Sequence, residues 1–88
     1  MPLTHEVLIF DNEITTYDFV VKVLIDFFDY NDEEAINMAM EIHYESSQVV
    51  GTYDFEVAMK KVNDAMSFIE RNNDALQILV RHIITENT

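Results

Sequence analysis

The side chains in this sequence that could do chemistry are few and poorly assorted for catalysis. There are three histidines (His5, His43 and His82), three serines (Ser46, Ser47 and Ser67) and no cysteine. A thiol nucleophile and a thiolate metal site are therefore excluded. No serine lies in a glycine-framed elbow or beside a His–Asp pair. No histidine has another four residues away, so a zinc ion would need carboxylates brought from afar. The lone glycine, Gly51, cannot build a loop that cradles phosphate. Asp11-Asn12-Glu13-Ile14-Thr15 begins like a calcium loop but lacks the turn glycine and the closing glutamate. The chain is expected to be no enzyme and to hold no cofactor or metal. What remains is a set of hydrogen-bond acceptors: an acidic loop of Asp11, Asn12 and Glu13, a helix start near Thr15, and His43 beside Ile42 on a later helix. Carboxylates, an amide oxygen and a neutral imidazole nitrogen suit a bound cation. The same residues also read as a solvated loop and a lone helical histidine, and the residue types alone leave both readings open.

The elements that must position these groups follow from periodicity. Val7-Leu8-Ile9-Phe10 is a short apolar run that reads as a buried strand. Thr15-Thr16-Tyr17-Asp18 matches a capping box, a hydroxyl with an acid three residues later. Phe19, Val20, Val23, Leu24, Phe27 and Phe28 then form a helical stripe. Asn31-Asp32-Glu33-Glu34 is a second cap, with acids near the positive end of the helix dipole. Its helix runs from Ala35 through Tyr44 and stops at Ser46-Ser47. Gln48 to Tyr53 has strand composition, and Asp54 opens a third helix with the stripe Phe55, Ala58, Val62, Ala65 and Ile69. That helix closes at Arg71-Asn72-Asn73-Asp74, and Leu76 to Ile84 reads as a last strand. The order is β-α-α-β-α-β. At this size three strands cannot be covered on both faces, so the fold class is α+β, with three helices on one face of a three-stranded sheet.

Length and charge bound the function. The 88 residues leave room for one domain, residues 1–88, without linker or repeat. Seventeen acids against five bases give a net charge of −12, which argues against nucleic acid and acidic membranes as partners. Met1 to His5 lacks the pattern of a signal peptide, and the longest apolar stretch, Phe19 to Phe28, is broken by Lys22 and Asp26. The expectation is a soluble intracellular protein.

The string Val7-Leu8-Ile9-Phe10-Asp11-Asn12-Glu13-Ile14-Thr15-Thr16-Tyr17-Asp18-Phe19-Val20-Val21 resembles the opening of ClpS adaptors, an apolar strand, an Asn-Asp-Asp-x-Thr loop and a Phe-Val-Val helix. The similarity continues in register through Phe27-Phe28, Ile42-His43-Tyr44, Val49, Gly51, Glu56-Val57-Ala58 and Lys61-Val62, and ends near Leu76. The resemblance implies an antiparallel three-stranded sheet with three helices, as in the ribosomal stalk C-terminal domain. It implies a monomeric adaptor in the cytoplasm, or in an organelle of bacterial origin. Such an adaptor binds N-degrons, proteins whose first residue is large and apolar with a free α-amine, and hands them to a Clp AAA+ unfoldase of the ClpA or ClpC kind by docking on its N-domain. Carried over residue by residue, it assigns the α-amine and first backbone amide to Asp11, Asn12 and His43, with Glu13 and Thr15 beside them. It assigns the apolar pocket to Tyr17, Val20, Ala39, Ile42 and Leu76.

The departures from that pattern have physical content. Asp11-Asn12 exchanges the first two loop residues, so acceptor capacity survives while the charge moves; Asn12 is expected to accept a backbone amide less strongly than a carboxylate would. Tyr17 and Ala39 stand at usual methionine positions, one larger and stiffer, the other smaller. About six residues precede the first strand, where the family carries an N-terminal extension used in delivery. The alternative function is therefore a module of this fold that docks on the unfoldase and carries no cargo.

Overall fold

Six elements follow in the expected order in the computed structural model, which describes residues 3–84. Strand β1 spans His5–Phe10, helix α1 Tyr17–Phe28, helix α2 Asp32–Glu45, strand β2 Ser47–Tyr53, helix α3 Phe55–Arg71 and strand β3 Gln77–His82. The sheet is antiparallel with order β2-β1-β3, so the first strand is central. Val7 and Ile9 are fully buried and meet Val20, Val23, Leu24, Ile42, Ala58, Val62 and Ile69 in a common core between the sheet and the helices. Leu8 is also buried but lies outside that core. Its side chain alternates to the other face, where Val49 and Leu79 pair with it across the strands.

The register of β1 on β2 shifts between Val7 and Leu8, which pair with Gly51 and Val49, so Val50 has no opposite residue. Val50 is buried, and its carbonyl accepts a hydrogen bond from the Tyr30 hydroxyl at 2.6 Å. The bulge is thus tied to the turn between α1 and α2. Burial holds the Tyr30 phenol above its ordinary pKa range, with Tyr53, Glu34 and Glu41 adding to the effect.

The caps agree with the sequence in two cases and differ in one. Asn31 and Glu34 form a reciprocal capping box at α2, and the Asp54 carboxylate accepts from Val57 N at α3. At α1 the cap is Thr16, whose hydroxyl accepts from Phe19 N at 3.1 Å. Thr15, expected to start the capping box, instead donates its proton to Asp74 and accepts from the Asn12 amide. The cap therefore falls to the next hydroxyl along. With almost no glycine, the chain makes its left-handed turns at Asp29, Ser46 and Asn73, with φ of 63°, 74° and 51°.

Leu24 is fully buried at the centre of this core. Leu24→Ala should cost about 2–5 kcal/mol, a large share of a small domain's stability, and Asn31→Ala about 1 kcal/mol through loss of its cap. Urea unfolding followed by circular dichroism measures both.

Candidate functional site

The loop after β1 is held at three points. Asp11 N donates to the Ser46 carbonyl at 2.9 Å, fixing the loop against the end of α2. The Asn12 side-chain oxygen accepts from Ile14 N at 2.8 Å and Thr15 N at 2.7 Å, closing a turn on itself. Thr15 donates to Asp74 at 2.5 Å, joining the loop to the turn between α3 and β3. These bonds set the positions of the chemical groups.

Between this loop and helices α1 and α2 lies a cavity of about 210 Å³. Its polar mouth is formed by Asp11, Asn12, Glu13, Thr15 and Thr16 of the loop and His43 of α2. Its apolar wall is Val20 of α1 with Ala39 and Ile42 of α2, all three buried, and Tyr17 stands at the rim. Ala39, Ile42 and His43 fall on one side of α2 because residues three and four apart share a helix face. A dry cavity of about 150 Å³ is known to admit benzene, so the space here accommodates one large apolar side chain with a polar head at the loop.

The Asp11 carboxylate lies 3.5 Å from His43 Nδ1, and both side chains are partly open to solvent. The Tyr17 ring packs against the His43 ring at 5.5 Å between centroids, and Tyr44 meets the same imidazole edge-on at 5.2 Å. Partial desolvation pushes the Tyr17 phenol above its ordinary range, with the charges of Tyr44 and Asp11 adding to it, so Tyr17 is a neutral donor at any working pH. The groups facing the cavity mouth are thus dominated by acceptors: two carboxylates and an imidazole. The described residues contain no cluster of three or more metal-ligating side chains. The arrangement suits an organic cation that carries an apolar group.

Nine of the ten residues singled out from the sequence are brought together here: Asp11, Asn12, Glu13, Thr15 and His43 at the mouth, and Tyr17, Val20, Ala39 and Ile42 below. Leu76 is not. It is buried in the core and borders a separate depression along β3 with Phe10, Met66 and Ile78. Asn12 is present but differs from expectation in chemistry. Both lone pairs of its side-chain oxygen are taken by backbone N–H groups, and its amide nitrogen donates to Thr15 Oγ1 at 2.9 Å. It therefore offers a ligand a donor and no acceptor. Sequence reasoning missed Thr16, Tyr44 and Asp74. The doublet Thr15-Thr16 was a signal for the first, whereas Asp74 reaches the site only through the tertiary fold.

A larger, shallower depression of about 510 Å³ lies between α1 and α3 and includes Asp26, Asp29, Lys60 and Lys61. Its two lysines are already matched, Lys61 with Asp29 at 2.7 Å and Lys60 with Asp64 at 3.0 Å. It is open and lacks the convergence of unmatched acceptors over an apolar floor.

The family model for the ATP-dependent Clp protease adaptor protein ClpS matches residues 1–79 of this chain. The ATP-dependent Clp protease adapter protein ClpS of Nautilia profundicola is 30% identical over 83 residues, covering 94% of this chain and 86% of that protein. Its counterpart from Rhodospirillum centenum is 36% identical over 76 residues, covering 86% of this chain and 70% of its own length. Among solved structures, Agrobacterium tumefaciens ClpS2 bound to L-phenylalaninamide superposes with a TM-score of 0.86 at 21% identity, covering 93% of this chain and 99% of that one. That likeness supports the fold.

Filling the cavity provides a direct check. Ala39→Met has empty space to enter, so unfolding by urea should move by less than about 1.5 kcal/mol. Two-dimensional NMR should show the changes concentrated at Val20, Ile42 and His43.

Proposed function

This chain belongs to the ClpS family of Clp protease adaptors, and on that premise we propose that it captures N-degrons by their free α-amine and first apolar side chain and delivers them to a Clp AAA+ unfoldase. The observation that carries this reading is the convergence of Asp11, Glu13 and His43 over the apolar floor of Val20, Ala39 and Ile42. An α-ammonium presents three N–H donors, and the acceptors at the mouth match it. The side chain of the same residue enters the cavity below. The α-amine and the first side chain leave one carbon atom, so a single residue satisfies both halves of the site. This is amine capture, one of the recurring modes of peptide recognition. As a monomer docked on the unfoldase N-domain, the adaptor would work wherever that protease works, in the cytoplasm or an organelle of bacterial origin.

Magnitudes favour a measurable affinity. A charge-assisted hydrogen bond contributes about 1.5–3 kcal/mol, and burial of one Leu or Phe side chain about as much again. Two or three such bonds with one buried side chain, less the cost of association, correspond to a dissociation constant of order micromolar.

Fluorescence anisotropy with a peptide beginning in Leu or Phe, labelled at its far end, tests the proposal. The free amine should bind and the acetylated peptide should bind at least about tenfold more weakly, since at least one charge-assisted bond is lost. Equal binding of the two overturns amine capture. No peptide binding together with retention on the unfoldase N-domain would favour the cargo-free docking module instead. Asp11→Ala should weaken the free peptide by about tenfold, the lower end of the range because the carboxylate is partly solvated.

The same assay across pH adds a second check. Binding should fall above about pH 8, where an α-ammonium loses its proton.

A further inference from the structure

Asp74 touches no part of the cavity, yet its hydrogen bonds govern what the loop presents there. Its Oδ1 accepts from Leu76 N at 2.9 Å and from the Thr15 hydroxyl at 2.5 Å. A hydroxyl has one proton, and a carboxylate can only accept, so the Thr15 proton belongs to Asp74. Thr15 Oγ1 can then meet Asn12 only as an acceptor, and the Asn12 atom facing it at 2.9 Å must be the amide nitrogen. The other end of that side chain reaches the same result independently. The atom that receives Ile14 N and Thr15 N must be the oxygen, because a backbone N–H is only a donor. Both constraints require an amide at position 12, since a carboxylate satisfies the loop N–H groups but collides with Asp74 over one proton. One N–H of Asn12 is left over, on a residue that lines the cavity mouth.

We propose that Asp74 is a positioning residue of the ligand site. Its carboxylate, acting through Thr15, holds the Asn12 amide as a hydrogen-bond donor for the carbonyl oxygen next to the ligand's ammonium group. The proposal rests on amine capture and adds a second polarity to it. Asp11, Glu13 and His43 receive the ammonium, and Asn12 gives to the carbonyl one bond further on. A ligand with ammonium and carbonyl on adjacent carbons, as at a peptide N-terminus, then fits better than a simple amine with the same side chain.

Two ligands and five proteins test this. Phenylalaninamide and phenethylamine share the ring and the ammonium, and only the first carries the carbonyl. Calorimetric titration at about pH 6.5, where both amines are charged, should give the wild type a three- to tenfold preference for phenylalaninamide, the worth of about one hydrogen bond. N12D, without the donor, should lose that preference. D74A should lose most of it, while D74N should keep it, because an amide oxygen can still accept from both Leu76 and Thr15. Urea unfolding supplies the readout that does not depend on ligand. N12D should lower the midpoint, and should lower it much less in the D74A background, because removing the carboxylate at 74 frees the Thr15 proton for the carboxylate at 12. Tight, equal binding of the two ligands by the wild type overturns the donor role and leaves amine capture standing. A preference unchanged in D74A, or additive effects of N12D and D74A on unfolding, overturns the role of Asp74. A wild type that binds neither ligand overturns amine capture and this inference together.

Discussion

Everything at the site follows from β1 being the central strand. A central strand must be hydrogen-bonded along both edges, and both neighbours here are antiparallel to it. Phe10, the last residue of β1, therefore faces Ser47, the first strand residue of β2, and Gln77, the first of β3. Whatever precedes those residues must lie beside the loop that leaves β1. On one side that is the end of α2, with His43 and Ser46. On the other it is the turn after α3, with Asp74. Three segments far apart in sequence meet because a sheet of this order leaves them nowhere else to go.

The charge distribution gives the meeting point its chemistry. Four of the five basic residues are engaged elsewhere: Lys22 with Asp26, Lys60 with Asp64, Lys61 with Asp29 and Arg81 with Glu6. Each exposed pair contributes little, at most about 1 kcal/mol, so these pairs do not explain stability. Their effect on the site is that they leave Asp11 facing His43 alone among the described residues. A carboxylate whose protein partner is a solvent-open imidazole has unused acceptor capacity. In the proposed amine capture, the complementary cation is the ammonium group of the ligand. The net charge of −12 is mostly solubilising surface, and the loop acids are the part of it that a fold has gathered around an apolar cavity.

The periodic features were legible in the sequence. The apolar stripe of α3 returned as buried Ala58, Val62, Ala65 and Ile69, and the caps at Asn31 and Asp54 were found in place. Local rules suffice there, because helix faces and caps are decided by residues three and four apart. The loop between β1 and α1 was legible as a site only through the family resemblance, because its hydrogen bonds are not local. The Thr15 hydroxyl satisfies a capping rule on paper, but it donates to a carboxylate 59 residues away and accepts from the Asn12 amide. The Asn12 oxygen looks free for a ligand until the backbone closes around it. Leu76 was assigned to the pocket from its place in the family pattern, and the fold buries it in the core beside a separate depression along β3.

The two chain reversals beside the site each carry a hydrogen bond to its loop. Ser46 and Asn73 both adopt left-handed backbone conformations, which cost an ordinary residue about 1–2 kcal/mol and a glycine almost nothing. Asparagine relieves part of that cost with its short polar side chain, and serine relieves less. Glycine would remove the strain but widen the conformational freedom of the unfolded chain and of the turn. At Ser46 the strained turn is followed at once by β2, and its carbonyl receives Asp11 N. At Asn73 it is followed by Asp74, which receives both Leu76 N and the Thr15 hydroxyl. In each case an unfavourable backbone angle is held in place by a bond to the ligand loop. The loop in turn is restricted before any ligand arrives. A site whose acceptors are already fixed loses less entropy on binding, which is what the proposed capture of a single residue in a cavity of about 210 Å³ requires.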